Sequence, residues 1–258
     1  MDERPPVTDA AWSALAAIDR RVGVSRLVPT TGNAVLMYHS VGSGTGNARG
    51  RTLPTAEFCE GIRRLAAEYE FVDLPAVLEE SDERRLAVTF DDGFRSVATE
   101  AAPVLSEFSV PATCFLIADR IGGETERGVP YMTESEIEDL VGTGLVTIGN
   151  HTRSHPWLGE IEDEERLREE ILGAKEALES CFDCEIDRFC YPYGDASPKA
   201  AELVAAGHSY ATVGDGLVGP RTDPLSIPRI DGSHPRSRLE WELTGVADRL
   251  REGWRRLR

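Results

Sequence analysis

Two adjacent carboxylates, Asp91 and Asp92, close the apolar run Leu86-Ala87-Val88-Thr89-Phe90 and are followed by Gly93. Side chains along a strand alternate between its two sides, so neighbouring aspartates at a strand exit suit different tasks. One can hold a metal while the other handles a proton. Asp-Asp-Gly is also ordinary turn chemistry, so the motif takes its meaning from the rest of the chain. A second strand-like run, Leu145-Val146-Thr147-Ile148-Gly149, ends in Asn150 and His151, and His155 follows within His151-Thr152-Arg153-Ser154-His155. A four-residue spacing is one helical turn, which would aim both imidazoles at one ion from one face. With Asp92 added, the set is two imidazoles and one carboxylate, a three-ligand site with positions left for water and substrate, as in hydrolytic zinc centres. Asp91 beside it is a ready general base.

Positioning such residues needs strands that end on a common face. Short apolar runs at 34–39, 86–90, 112–117, 145–149, 187–191, 210–213 and 225–230 alternate with helical patterns, which implies parallel βα units. Seven or so of them indicate a distorted (β/α) barrel, closed or incomplete, with its chemistry where the strands end. Helices are expected over 9–22, from a Thr55 cap, over 94–108 despite Pro103, from a Thr133 cap to Gly142, over 163–181 and over 197–206. In the helix at 163–181, Leu167, Ile171, Ala174 and Leu178 form the apolar stripe and the glutamates the solvated face. Gly42 to Gly46 and Gly122 to Gly128 read as loops.

Taken together, these motifs resemble the polysaccharide deacetylases, the NodB-homology domain or carbohydrate esterase family 4, over roughly residues 34–232. Thr89-Phe90-Asp91-Asp92-Gly93 is similar to the first family motif, His151-Thr152-Arg153-Ser154-His155-Pro156 to the second, and Phe189-Cys190-Tyr191-Pro192-Tyr193-Gly194 to a form of the third. Tyr38-His39-Ser40-Val41 looks like the opening strand of many members. The resemblance implies a distorted barrel and metal-dependent removal of an acetyl group from an N-acetylated sugar. It also implies Asp91 as base, Asp92, His151 and His155 as ligands of a divalent ion (Zn2+, with Co2+ or Mn2+ as alternatives), and the Tyr193 N–H as an oxyanion donor in a loop fixed by Pro192. Tyr191 would then stand at the substrate.

Two departures from the family pattern stand out. An arginine that orients the catalytic aspartate in many members is replaced here by Cys190, and Arg229, in Ser226-Ile227-Pro228-Arg229-Ile230-Asp231, is expected to supply that guanidinium from the last strand, with Arg188 as the rival. The leucine-x-histidine motif that protonates the leaving amine is absent after residue 232, which leaves His234 and then His39 as candidates near the substrate. His208 reads as structural.

The 258 residues carry 45 acidic against 28 basic side chains, a formal charge of −17 that repels nucleic acid. Lys175 and Lys199 are the only lysines, and the acid excess suggests a hydrated, salt-adapted (halophilic) surface. Met1-Asp2-Glu3-Arg4-Pro5-Pro6 has no basic region leading into an apolar core, and no apolar run reaches membrane-spanning length, so a cytoplasmic protein is expected. Five cysteines, an odd set, lack the second pair that a structural zinc site would need. Three segments follow: a helical extension at 1–33, the catalytic domain at 34–232 and a basic amphipathic helix at 233–258. The last has Leu243, Val246, Leu250, Trp254 and Leu257 on one face; it docks on this chain's acidic body or, alternatively, touches a membrane peripherally. Two rival functions share the site: opening of a small cyclic amide or imide, and glycan binding without turnover.

Overall fold

The computed structural model describes residues 9–23, 32–42 and 52–255. Among them, the strands are β1 (Ala34–Tyr38), β2 (Glu70–Phe71), β3 (Arg85–Phe90), β4 (Ala112–Leu116), β5 (Val146–Asn150), β6 (Arg188–Cys190), β7 (Tyr210–Asp215) and β8 (Ile227–Asp231). Their ladders are parallel. Seven of the strands close a ring in the order β1-β3-β4-β5-β6-β7-β8, because β1 pairs with β3 along Ala34↔Leu86 to Tyr38↔Phe90 and with β8 at Leu36↔Ile230. β2 adds a short edge to the start of β3. The expected barrel is therefore complete.

Alternation along the strands sorts the core into two shells. Val35, Ala87, Phe115, Cys190 and Ile227 meet in one buried cluster inside the ring. Leu36, Leu86, Val88, Phe90, Cys114, Ile148 and Ile230 join the cluster that the surrounding helices cover. Gly149 is required by this interior, since a Cβ there would lie 2.6 Å from the Phe115 ring and 3.2 Å from the Arg188 carbonyl. Gly149→Ala is expected to cost about 1–3 kcal/mol of stability, the usual range for overpacking a dense core; a denaturant midpoint unchanged from wild type would contradict it.

The covering helices are α1 (Asp9–Val22), α2 (Thr55–Leu65), α3 (Ala102–Phe108), α4 (Glu134–Gly142), α5 (Glu164–Arg168), α6 (Ala174–Phe182), α7 (Pro198–Gly207), α8 (Arg236–Glu242) and α9 (Val246–Arg255). Thr133 caps α4 as expected, in a reciprocal capping box with Glu136. Thr55 does not cap α2: Pro54 holds that position, and the Thr55 hydroxyl donates to Glu100 at 2.7 Å. Two π turns interrupt expected helices. Val97–Ala101 leads into α3 just before Pro103, and Glu169–Gly173 separates α5 from α6.

The segment expected as one C-terminal helix forms two, because Gly245 turns the chain at φ +76 between α8 and α9. Trp12 of α1 meets Trp241 of α8 with ring centroids 5.9 Å apart, and Arg251 of α9 lies 5.0 Å over the Trp12 ring while pairing with Glu242 and Asp248. At Arg251, α9 thus faces the chain's own body. Leu250 is 36% exposed rather than part of a buried face. Trp254 and Leu257, and the loop Gly42 to Gly46 beyond its first residue, lie outside the described side chains. No helix among the described residues is long and apolar enough to cross a membrane.

Candidate active site

Asp91 and His151 each stand one residue past a strand and remain tied to the strand beside it, through Asp91 N–H to Tyr38 O and His151 N–H to Leu116 O, both at 2.9 Å. The ladder of a closed barrel thus carries both side chains to one mouth. Asp92 then takes a left-handed backbone, φ 72, and Gly93 continues it at φ 78. Any Cβ at Gly93 would lie 2.9 Å from the Leu116 side chain. This turn brings both aspartates to the lining of one cavity of about 800 Å³, with His39, His151, His155, Tyr191, Tyr193 and Arg229.

The Asp92 Oδ1 lies 3.5 Å from Nε2 of both His151 and His155, and a ligand atom from each of the three falls within 4.8 Å of the others. Tetrahedral ligands about 2.1 Å from an ion stand roughly 3.4 Å apart, so the spacing fits a divalent metal. His151 Nδ1 meets the Cys190 carbonyl at 2.8 Å, which fixes the ring and leaves Nε2 towards Asp92. Burial and the neighbouring His151 push His155 down to about 4, so its ring is neutral at pH 7. Burial also opposes charge on His151, but Cys190 and the Asp92 and Asp91 carboxylates outweigh it and raise the group. Negative potential at this point favours a cation.

The helical turn expected between His151 and His155 is not there. Residues 151–155 form a loop, with Thr152 at φ 68 and His155 at φ 66. Six non-glycine residues among those described have positive φ; Ser109 and Asp183 end helices, Asp92, His155 and Tyr193 line this cavity, and Thr152 lies in the loop between His151 and His155. Left-handed backbone at non-glycine residues costs about 1–3 kcal/mol each and collects at functional sites.

Arg229 reaches Asp91 with both arms, Nη1 to Oδ1 at 2.7 Å and Nη2 to Oδ2 at 2.9 Å, both groups being buried. Nη1 also meets Thr89 Oγ1 at 3.1 Å, and Nη2 meets Cys190 Sγ at 3.1 Å. The guanidinium comes from β8 into the space beside Cys190. Burial would raise the Asp91 carboxyl, but Arg229 and then His151 hold it well below the usual carboxylate range. Arg188, the rival, points to the other end of the barrel, where it pairs with Asp73 and meets Thr113 Oγ1.

Tyr193 sits at φ 59 in the turn Pro192–Gly194. Tyr191 N–H is taken by Thr212 O and Gly194 N–H by Tyr191 O; proline has no N–H, so Tyr193 has the N–H this loop can offer. Its ring stacks on Trp157 at 4.0 Å and 9°, and meets His155 edge-on at 4.7 Å. Pro192 is buried behind the loop. His234 is not at the cavity: it lies beneath α8, 3.8 Å from Asp231 and 3.9 Å from Glu242, because the packing of α8 on the barrel turns it inward. His208 is buried, as expected of a structural residue, and faces Asn150 at 3.1 Å.

One wall of the cavity is built from residues outside the motifs. Asp119, Arg120, Glu124, Glu126, Arg127 and Tyr131 line it, from the segment after β4. Its signal was a charged loop placed directly after a strand end, where barrel chemistry gathers.

A closed parallel barrel that gathers a carboxylate–guanidinium pair and a three-donor cluster at its mouth has the form of a hydrolase site. The family model for polysaccharide deacetylase matches residues 79–211, just over half of the chain, and the chain belongs to that family. It is 27% identical over 179 residues to YxkH of Bacillus subtilis, a protein named as a polysaccharide deacetylase, an alignment covering 65% of this chain and 60% of that protein. With the poly-beta-1,6-N-acetyl-D-glucosamine N-deacetylase of Staphylococcus epidermidis it shares 24% identity over 209 residues, covering 75% of this chain and 72% of the relative. Among solved structures, IcaB from Ammonifex degensii superposes with a TM-score of 0.73 at 25% identity, over 83% of this chain and 97% of that one.

Proposed function

We propose that the chain is a metal-dependent hydrolase that removes the N-acetyl group from an N-acetylated sugar or polysaccharide, the reaction the Staphylococcus epidermidis relative is named for. The observation that carries this reading is the bidentate Arg229–Asp91 pair set beside the Asp92, His151 and His155 donor atoms. A divalent ion held by those three residues, zinc by preference and cobalt or manganese as alternatives, would polarise the acetyl carbonyl and acidify water. Asp91 takes the proton of the attacking water. A carboxylate held low by Arg229 is a weak base, so it needs water made acidic close by. The Tyr193 N–H faces the carbonyl oxygen as it gains charge. His39 lines the cavity and takes the place near the leaving amine; Tyr191 and Tyr193 also line it, and Tyr193, backed by the Trp157 ring, offers an aromatic surface suited to a sugar ring. Residues 34–232 are the catalytic part, with 1–33 and 233–258 as flanking segments. The acid excess and scarcity of lysine support a salt-adapted cytoplasm as its setting.

The cavity of about 800 Å³ favours a carbohydrate over a small cyclic amide, being near the top of the roughly 300–1,000 Å³ usual for small-molecule sites. The test is acetate release from a panel of N-acetylated glycans, with chelator and then with zinc, cobalt or manganese restored. Sugar binding without acetate under every metal would replace the enzyme reading by the binding-module one. Arg229→Lys is expected to lower kcat about 10-fold or more at unchanged metal content, because an ammonium keeps the charge and loses the fork that aims the carboxylate. Wild-type kcat in that variant would remove Arg229 from the mechanism.

A further inference from the structure

The loop between His151 and His155 has two left-handed residues and no regular structure, so contacts from outside it must hold its shape. Within the loop His155 N–H donates to Thr152 Oγ1 at 3.0 Å, and from just before it Asn150 Oδ1 accepts from Thr152 N–H at 2.9 Å. The segment after β4 adds two, Ala118 N–H to Thr152 O at 3.2 Å and Asp119 N–H to Arg153 O at 3.0 Å, and four more reach the π turn Glu169–Gly173. Arg153 N–H donates to Glu170 O at 3.0 Å, Ser154 N–H to Glu170 Oε2 at 2.9 Å, Ser154 Oγ–H to Glu170 Oε1 at 2.6 Å, and Asn150 Nδ2–H to Ile171 O at 2.8 Å.

The π turn is what makes this possible. In an unbroken α-helix the Ala174 N–H would bond Glu170 O, four residues back. Here it bonds Glu169 O, five residues back, which releases Glu170 O to accept from Arg153. The same turn leaves the Glu170 side chain buried, 6% exposed, with both carboxylate oxygens on Ser154.

We propose that Glu170, presented by this π turn, is a positioning residue that sets the backbone of the His151–His155 loop and so the place of the His155 imidazole against Asp92. The proposal rests on the reading of Asp92, His151 and His155 as metal ligands, and adds the support that keeps the third donor in reach. Supporting contacts behind metal ligands are commonly worth about 10–100-fold in affinity.

The test is the zinc affinity of the purified full chain, by competition with a chromophoric chelator, alongside thermal unfolding of the metal-free protein. Glu170→Ala is expected to weaken zinc about 10–100-fold, with kcat approaching wild type once zinc is saturating. Glu170→Gln should recover most of the affinity, since its carbonyl can accept from Ser154 N–H while its amide donates to the Ser154 hydroxyl. Zinc affinity in Glu170→Ala within about threefold of wild type overturns the proposal, as does a Glu170→Gln variant no better than Glu170→Ala. Should Glu170→Ala fail to fold, Ser154→Ala leaves the helix intact and must weaken zinc several-fold; unchanged affinity overturns the proposal there too. Wild-type protein that binds no zinc sinks the metal reading itself and is a separate outcome.

Discussion

Asp91→Asn is expected to slow acetate release by about 10²–10⁴-fold, the usual worth of a general base, while zinc stays bound. The substitution is close to isosteric and leaves Asp92, His151 and His155 untouched, but an amide cannot take a proton from water at neutral pH. Arg229 loses its partner charge while remaining buried against Thr89 and Cys190, so the variant should also be less stable. The sign of its pH dependence follows from Asp91 being held below the usual carboxylate range by Arg229 and His151 against the opposing effect of burial. A depressed folded-state pKa adds stability in full above the unfolded value, about 4, and loses it as pH falls towards the folded value. The stability gap between wild type and variant should therefore be widest at neutral pH and close only in acid. Activity within about tenfold of wild type would rule Asp91 out as the base.

Asp92→Ala should have the second large effect, and on a different quantity. Asp92 Oδ1 is the atom common to both imidazoles, at 3.5 Å from each. Without it two nitrogens remain, and two protein ligands seldom hold zinc, so affinity should fall by about 10²-fold or more. Unfolding reads the same event without any substrate. At zinc 100 times its Kd, wild type should gain about 2.7 kcal/mol, and the variant at that concentration close to nothing. Equal stabilisation of both proteins by zinc would show that Asp92 is no ligand.

Each candidate at a strand end was readable because a buried parallel strand is an apolar run, and the first polar residues after it stand at the barrel mouth. That is how Asp91, Asp92 and His151 stand out, whereas Arg229, inside β8, is expected from the guanidinium that the family resemblance leaves missing at Cys190; the βα alternation implies a barrel and leaves its closure open, which the pairing of β1 with both β3 and β8 decides. The sequence also marks Thr133 as a cap, and the structure adds its reciprocal partner, Glu136 three residues on. Local pattern failed where a distant partner decides the backbone. The His151-to-His155 spacing reads as a helical turn, yet both rings meet Asp92 from a left-handed loop held by a helix beginning after residue 163. Glu170 stands three residues after Leu167, beside the apolar stripe, and is buried rather than on the solvated face expected for the glutamates of this helix, because Ser154 takes both of its carboxylate oxygens. The π turn that gives Glu170 its partners leaves no mark in composition, because an added residue in a helix is stabilised by what its freed carbonyl finds across the fold. His234 shows the same limit from the other side. Its place follows from how α8 lies on the barrel, and packing between segments far apart in the chain is settled by the shape of the whole core rather than by the residues on either side of one histidine.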